Sequence, residues 1–209
     1  MVLYKTVYEY AEAEYVIERS RFIAHVQPVE SYEEAQAFVA KVKQEHKDAT
    51  HNVPAIVCGN KQEVKWASDD GEPQGTSGLP VLKMISDLGI TNVAIVITRY
   101  FGGIKLGTGG LARAYTQAAK LAIEKSGIST VEKGCYVSYE MDYSYLAKLQ
   151  NIEKQGDFSI VDTSFTDKVI VKLAMKEENQ EIVAKTLKDL TSGQVTLINS
   201  ENSLFRTKI

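Results

Sequence analysis

Residues Arg99 to Tyr115 read RYFGGIKLGTGGLARAY and place five glycines and three basic residues between an apolar strand-like run, Val93 to Thr98, and an amphipathic helical pattern, Leu111 to Ser126. A strand, a glycine loop and a helix start form a natural anion cradle. The first N–H groups of a helix lack intrahelical partners and carry partial positive charge, and glycine lets that backbone approach a ligand without a Cβ in the way. Arg99, Gly102, Gly103, Lys105, Gly107, Gly109, Gly110 and Arg113 are the expected phosphate contacts on this reading. The same glycines serve equally for tight turns and close loop packing. The spacing matches neither G-x-x-x-x-G-K-[ST] nor G-x-G-x-x-G at the mouth of a βαβ unit, so a standard nucleotide-binding enzyme is not indicated.

Charge favours a functional surface here. Between Asp87 and Glu124 there is no acidic residue, whereas Arg99, Lys105, Arg113 and Lys120 fall in that interval. The whole chain carries a formal charge of −3, which excludes a protein that coats nucleic acid with a broad basic face; any phosphate contact is local. With 209 residues, 44% hydrophobic and 24% charged, the composition is that of one large or two small globular domains. The N-terminus has no signal-like apolar core, and the longest aliphatic run, Val93 to Ile97, is too short to cross a bilayer, so a cytoplasmic protein with no membrane partner is expected. Cys58 and Cys135 show no CxxC spacing and read as reduced thiols. His25, His46 and His51 form no ligand pattern, so neither a metal nor a cofactor is expected.

Periodicity predicts strands at Tyr4 to Tyr10, Ala13 to Ile17 and Arg21 to Val29. A helix follows, opened by a capping box of Ser31 and Glu34 and packed through Ala35, Phe38, Val39 and Val42. A strand pair, Val53 to Cys58 and Glu63 to Ala67, leads to an ordered loop, Ser68 to Gly78, then a short helix after Pro80 ended by Gly89. A domain boundary is expected near Glu132 to Cys135, giving domains 1–132 and 133–209. The second reads as βαββαβ: Tyr136 to Asp142, Ser144 to Gln155, Ser159 to Thr166, Val169 to Met175, Glu178 to Leu190 and Val195 to Asn199. That order is the ferredoxin-like arrangement. From Tyr136 onward nine basic residues face eleven acidic ones, which gives this domain no electrostatic reason of its own to bind RNA.

The Ser68 to Gly78 loop holds Asp69, Asp70 and Glu72. These are candidates for a Mg²⁺ site beside phosphates or for a general base, against a plain role in turn chemistry or pairing with Arg99 or Arg113. His51, just before a strand, is a candidate for proton transfer at the same surface, although no nucleophile pairs with it into a triad. Tyr100 and Phe101 beside Arg99 suggest base stacking, with a core role expected for at least one ring.

The segments ASDDGEPQGTSGLPVL (Ala67 to Leu82) and VAIVITRYFGGIKLGTGGLARAYTQA (Val93 to Ala118) resemble the signature regions of the YigZ/IMPACT family, in its bacterial two-domain form. The resemblance implies an α+β protein, with an N-terminal ribosomal protein S5 domain 2-like domain and a ferredoxin-like C-terminal domain, ordered as in the last two domains of elongation factor G. Val53 stands where relatives often carry cysteine, which argues against a thiol role there. Eukaryotic relatives regulate translation by competing for a partner of the kinase that phosphorylates an initiation factor, using an additional domain without counterpart in this sequence. For bacterial members the family suggests binding to nucleic acid or the translation machinery. The leading expectation is therefore a regulatory protein that binds RNA or the ribosome. The alternatives are an enzyme acting on a small phosphorylated or nucleotide substrate, and a protein that binds a protein partner.

Overall fold

A computed structural model describes residues 1–209. In chain order the elements are β1 (Val2–Val7), β2 (Ala11–Ile17), β3 (Ser20–Pro28), α1 (Tyr32–Glu45), β4 (His51–Cys58), β5 (Val64–Ala67), α2 (Gly78–Asp87), β6 (Val93–Tyr100), α3 (Gly107–Ser126), β7 (Ile128–Met141), α4 (Leu146–Glu153), β8 (Ser159–Phe165), β9 (Val169–Lys176), α5 (Gln180–Leu190) and β10 (Thr196–Lys208). The protein is a mixed α/β molecule with two five-stranded sheets. It divides into two compact units, Tyr4–Thr130 with Arg206–Ile209, and Val131–Phe205 with Met1–Leu3.

The larger unit is built on an antiparallel sheet in the order β2-β3-β6-β4-β5. Both faces of its central strand are covered, so β6 reads as a continuous apolar run rather than an alternating one. Val93, Ile95 and Ile97 belong to the core shared with α2 and α3. Ala94 and Val96 belong to a second core, with Ala35, Val39 and Val42 of α1. Helix α1 starts where its cap dictates: Ser31 Oγ accepts from the Glu34 N–H at 3.1 Å, and the Glu34 carboxylate accepts from the Glu30 N–H at 2.7 Å. The reciprocal bond thus reaches one residue further back than a standard capping box.

Two helix starts differ from the pattern reading. Helix α2 begins at Gly78 and takes Pro80 into its first turn, where a missing N–H breaks no intrahelical bond. Helix α3 begins at Gly107, four residues before Leu111, because glycines with poor intrinsic propensity fill its first turn and hide it. The expected packing face of α3, Leu111, Tyr115, Ala118, Ala119 and Ala122, is buried.

In the smaller unit β7 pairs antiparallel with β9, β9 with β8, and β10 with β7. Alternate residues Cys135, Val137, Tyr139 and Met141 of β7 and Val169, Val171, Leu173 and Met175 of β9 form its core with Leu149 of α4 and Val183 and Leu187 of α5. β7 starts at Ile128 and β10 runs to Lys208, both longer than the pattern indicates. β10 is almost wholly exposed, so no apolar alternation marks it.

One glycine shows how tightly the basic loop is tied down. A Cβ on Gly102 would lie 2.0 Å from the carbonyl carbon of Arg19 and 2.1 Å from its oxygen. Arg19 belongs to the two-residue turn joining β2 to β3, whose residues Glu18 and Arg19 both hold positive φ, as such hairpin turns require. Gly102→Ala should therefore displace backbone against backbone. The expected outcome in urea unfolding is a loss of about 2 kcal/mol or more, seen as a lower midpoint with an unchanged slope.

Candidate functional site

The two-residue period of β6 carries Arg99 onto the face that holds Val93, Ile95 and Ile97, so a guanidinium ends a row of core aliphatics. Arg99 is only 4% exposed. Its Nη1 donates to Glu72 Oε1 at 2.6 Å and its Nη2 to Ser20 Oγ at 3.4 Å, while Nε is buried without a partner. The rings of Phe22 and Phe101 lie on it, each 5.3 Å from ring centroid to Cζ. The Tyr115 hydroxyl of α3 donates to the same Glu72 Oε1 at 2.7 Å. Burial, then the adjacent Glu72, push the Tyr115 pKa far above its ordinary value, so the phenol stays a donor.

His51 opens β4 directly opposite Arg99 in the sheet register. Its Nδ1 lies 2.7 Å from the Asp70 carbonyl oxygen. A carbonyl can only accept, so Nδ1 carries a proton and donates to it. Nε2 stands 3.9 Å from Glu72 Oε2. Asp70 is locked in place at φ +48: its carboxylate accepts from Lys43 Nζ at 2.6 Å and from the Asn52 N–H at 2.6 Å. Asp69 accepts from the Gly75 N–H at 2.7 Å, from the Ser77 N–H and hydroxyl at 3.1 and 2.6 Å, and from the Gly78 N–H at 2.9 Å. Asp69 thus caps α2, whose own cap residue Ser77 makes no capping bond. Asp69 and Asp70 spend their carboxylates on backbone N–H groups, the Ser77 hydroxyl and Lys43, and Glu72 alone of the three acids reaches the cleft described next. No group of three or more His, Cys, Asp and Glu side chains is arranged to hold a metal ion.

His51, Glu72 and Arg99 line one side of a cleft of about 390 Å³, with apolar surface from Pro73, Phe101, Leu106 and Leu111. Lys105, Gly107 and Thr108, at the start of α3, complete it. The N-cap residue of α3, Leu106, supplies no side-chain acceptor, and the first turn holds no acidic residue, so the positive end of a 20-residue helix is uncapped beside the cleft. Lys105 also lines a neighbouring depression of about 820 Å³ together with Gly110 and Arg113. Gly102 is packed on the β2–β3 turn, Gly103 holds φ +88, and Gly109 lies exposed in the first turn of α3. The sequence candidates thus divide: His51, Glu72, Arg99, Lys105 and Gly107 share the cleft, Gly110 and Arg113 its neighbour, and Asp69, Asp70, Gly102, Gly103 and Gly109 line neither.

Neither ring after Arg99 enters the core, contrary to the expectation for at least one. Tyr100 points to the other face of the sheet, its hydroxyl 3.0 Å from His46 Nδ1, and Phe101, beyond the strand end, is 46% exposed. The hydroxyl of Tyr115 is the main functional feature that pattern reading leaves out. A phenol on a buried helix face must find a polar partner, which signals a bond without naming Glu72.

Residues 18–123 match the Impact N-terminal domain, and residues 140–194 match a domain of unknown function, DUF1949. The chain belongs to the IMPACT family. IMPACT family member YvyE of Bacillus subtilis (strain 168) is 35% identical over 198 residues, covering 95% of this chain and 91% of that protein. IMPACT family member YigZ of Escherichia coli (strain K12) is 33% identical over 190 residues, covering 88% and 92%. A crystal structure described as that of a hypothetical protein is similar with a TM-score of 0.61 and 29% identity, over 93% of this chain and 96% of that one. The cleft lies entirely within the Impact N-terminal match.

The loop that delivers Glu72 in this IMPACT-family protein depends on Asp69. Burial opposes ionisation of that carboxyl, but the hydrogen bonds from Ser77, Gly75 and Gly78 outweigh it and hold its pKa below the usual aspartate value. A depressed folded-state pKa contributes stability above the unfolded value of about 3.9 and loses it as pH falls through the folded value. Asp69→Asn should cost about 1–3 kcal/mol at neutral pH. In urea titrations the variant and wild type should converge as pH drops below about 4.

Proposed function

We propose that this IMPACT-family protein is a translation-linked regulator that binds RNA or the ribosome, with the glycine-rich loop and the start of α3 as a local phosphate-contact surface. The link to translation rests on the family resemblance, which implies that eukaryotic relatives regulate translation. The observation that carries the contact surface is the uncapped, positively polarised end of α3, flanked by exposed Lys105 and Arg113 and opening on a cleft. Glu72 is the acidic side chain in that cleft, and Arg99 neutralises it. Arg99 itself, buried and paired, sets the wall in this reading, and Lys105, Arg113 and the N–H groups from Gly107 onward make the contacts.

The two units are assigned, on the same footing, as an S5 domain 2-like domain and a ferredoxin-like domain meeting near residue 132. The pairing of β10 with β7, β7 with β9 and β9 with β8, with α4 and α5 in the core, supports the second assignment. A cytoplasmic setting follows from the proposed target; no helix is long and apolar enough to cross a membrane. A second reading, an enzyme acting on a small phosphorylated or nucleotide substrate, is favoured by His51 Nε2 and Glu72 Oε2 lining one cleft with Lys105.

Co-sedimentation with ribosomes and with protein-free RNA at low and moderate salt tests the proposal. Two phosphate contacts on a single strand should give a slope of roughly −1.4 in log affinity against log salt, and Lys105→Glu/Arg113→Glu should abolish it in a protein that stays folded. Salt-insensitive binding, or no binding at low salt, overturns it.

A further inference from the structure

We propose that the outer edge of β2 is a docking site for an extended, acidic segment of a partner protein, which adds a strand to the sheet of the larger unit and lays alternate side chains into the depression between β2 and α3. The proposal goes beyond the RNA reading and concerns the surface next to the cleft.

Strand β2 ends the sheet order β2-β3-β6-β4-β5, so its far side pairs with no strand. The hairpin decides which backbone groups lie there. Its two-residue turn, Glu18 and Arg19 at positive φ, makes Ile17 and Ser20 a hydrogen-bonded pair. Alternation then turns Tyr15, Ala13 and Ala11 towards β3 and points the N–H and C=O groups of Val16, Glu14 and Glu12 outward. The bond from Lys125 Nζ of α3 to the Glu12 carbonyl, at 2.9 Å, agrees with that direction. The groups of Glu14 and Val16 remain for solvent or a partner. Exposed edges are ordinarily kept short, bulged or broken by proline. β2 instead pairs with β3 over seven residues with no register shift and no proline, and Val16 is 58% exposed. The opposite edge strand, β5, has only four residues.

The adjoining depression of about 820 Å³ selects the occupant. Tyr15 and Ile17, on the core face of β2, line it with Ile104 and Leu106 of the basic loop. A strand added outside β2 projects every second side chain towards that lining. Lys105 and Arg113 stand at the same depression without an acidic partner, and Glu18 is its one acid. The fitting segment therefore presents apolar and acidic side chains towards α3. A second copy of this chain fits poorly. The β2 side chains on that face, Ala11, Ala13, Tyr15 and Ile17, include no carboxylate, and full-length antiparallel pairing sets Glu14 opposite Glu14. An RNA strand matches the two cations but not the outward row of N–H and C=O groups, whose spacing suits another β-strand. Because Lys105 and Arg113 serve both surfaces, the segment and RNA compete.

The test is binding of the full chain to a short capped peptide in which isoleucine and glutamate alternate on one face, with threonine and lysine on the face that meets Glu12 and Glu14. Binding should slow hydrogen exchange at the Glu14 and Val16 amides, which point outward in the free protein. N-methylation of the threonine and lysine residues, whose N–H groups face β2, keeps every side chain and should weaken binding about tenfold or more. Lysine in place of the glutamates should weaken it to a similar extent. Val16→Pro removes an N–H that makes no bond to β3, so the sheet survives. This variant should bind the peptide about tenfold more weakly and co-sediment with ribosomes and RNA within about twofold of wild type. No binding of the peptide, equal binding of its N-methylated form, or unchanged exchange at Glu14 and Val16 overturns the proposal. If RNA binding then persists and is lost in Lys105→Glu, the phosphate reading stands alone. A wild-type dimer that Val16→Pro converts to a monomer gives the edge to a second copy and likewise overturns it.

Discussion

The ion pair between Arg99 and Glu72 is the constraint on which the rest of the site depends. Strand periodicity forces a guanidinium onto the core face of β6, and a charge buried there is tolerated only when paired and hydrogen-bonded. The partner comes from the loop between β5 and α2, which must therefore be held in one conformation. Asp69 folds that loop by capping α2, and Asp70 ties it to α1 through Lys43 and to β4 through the Asn52 N–H. The same Asp70 orients His51 through its carbonyl. A single requirement, that Arg99 be neutralised, thus brings a carboxylate and an oriented imidazole to one cleft, with the buried Tyr115 phenol behind the carboxylate.

Opposite this rigid side, the basic loop keeps features that a purely structural element would shed. Leu106 at the cap position of α3 leaves N–H groups unpaired where Ser, Thr, Asp or Asn would stabilise the helix by about 1 kcal/mol. Phe101 is exposed and Lys105 is free in solvent, while Gly102 anchors the loop to the β2–β3 turn. An anchored loop with an unfinished helix end is a pre-organised surface, which lowers the ordering cost of any ligand that docks there.

The mixed α/β class and the order of elements were legible because apolar period and turn chemistry agreed along most of the chain. The α1 cap at Ser31, the Gly89 stop and the alternation in β9 are each local signals with one interpretation. Legibility failed where the signal was absent. Glycines concealed the first turn of α3, and β10 has no buried face to mark it. The site was legible as a set of residue types and not as a set of contacts. Pairing of the loop acids with Arg99 was one of several arrangements open to Asp69, Asp70 and Glu72, and the choice of Glu72 is made by tertiary geometry. Tyr115 was readable as packing, yet its hydroxyl is what completes Glu72 Oε1.

A double-mutant cycle on the buried pair tests the central claim most directly. Glu72→Gln keeps the size of the side chain and removes its charge, leaving the Arg99 guanidinium uncompensated in the core rim; the expected loss of stability is about 3–5 kcal/mol in urea unfolding. Adding Arg99→Met should recover part of that loss, so that the double variant is more stable than Glu72→Gln alone. A Glu72→Gln protein within about 0.5 kcal/mol of wild type, or strictly additive effects of the two substitutions, would show that the ion pair does not hold the site together.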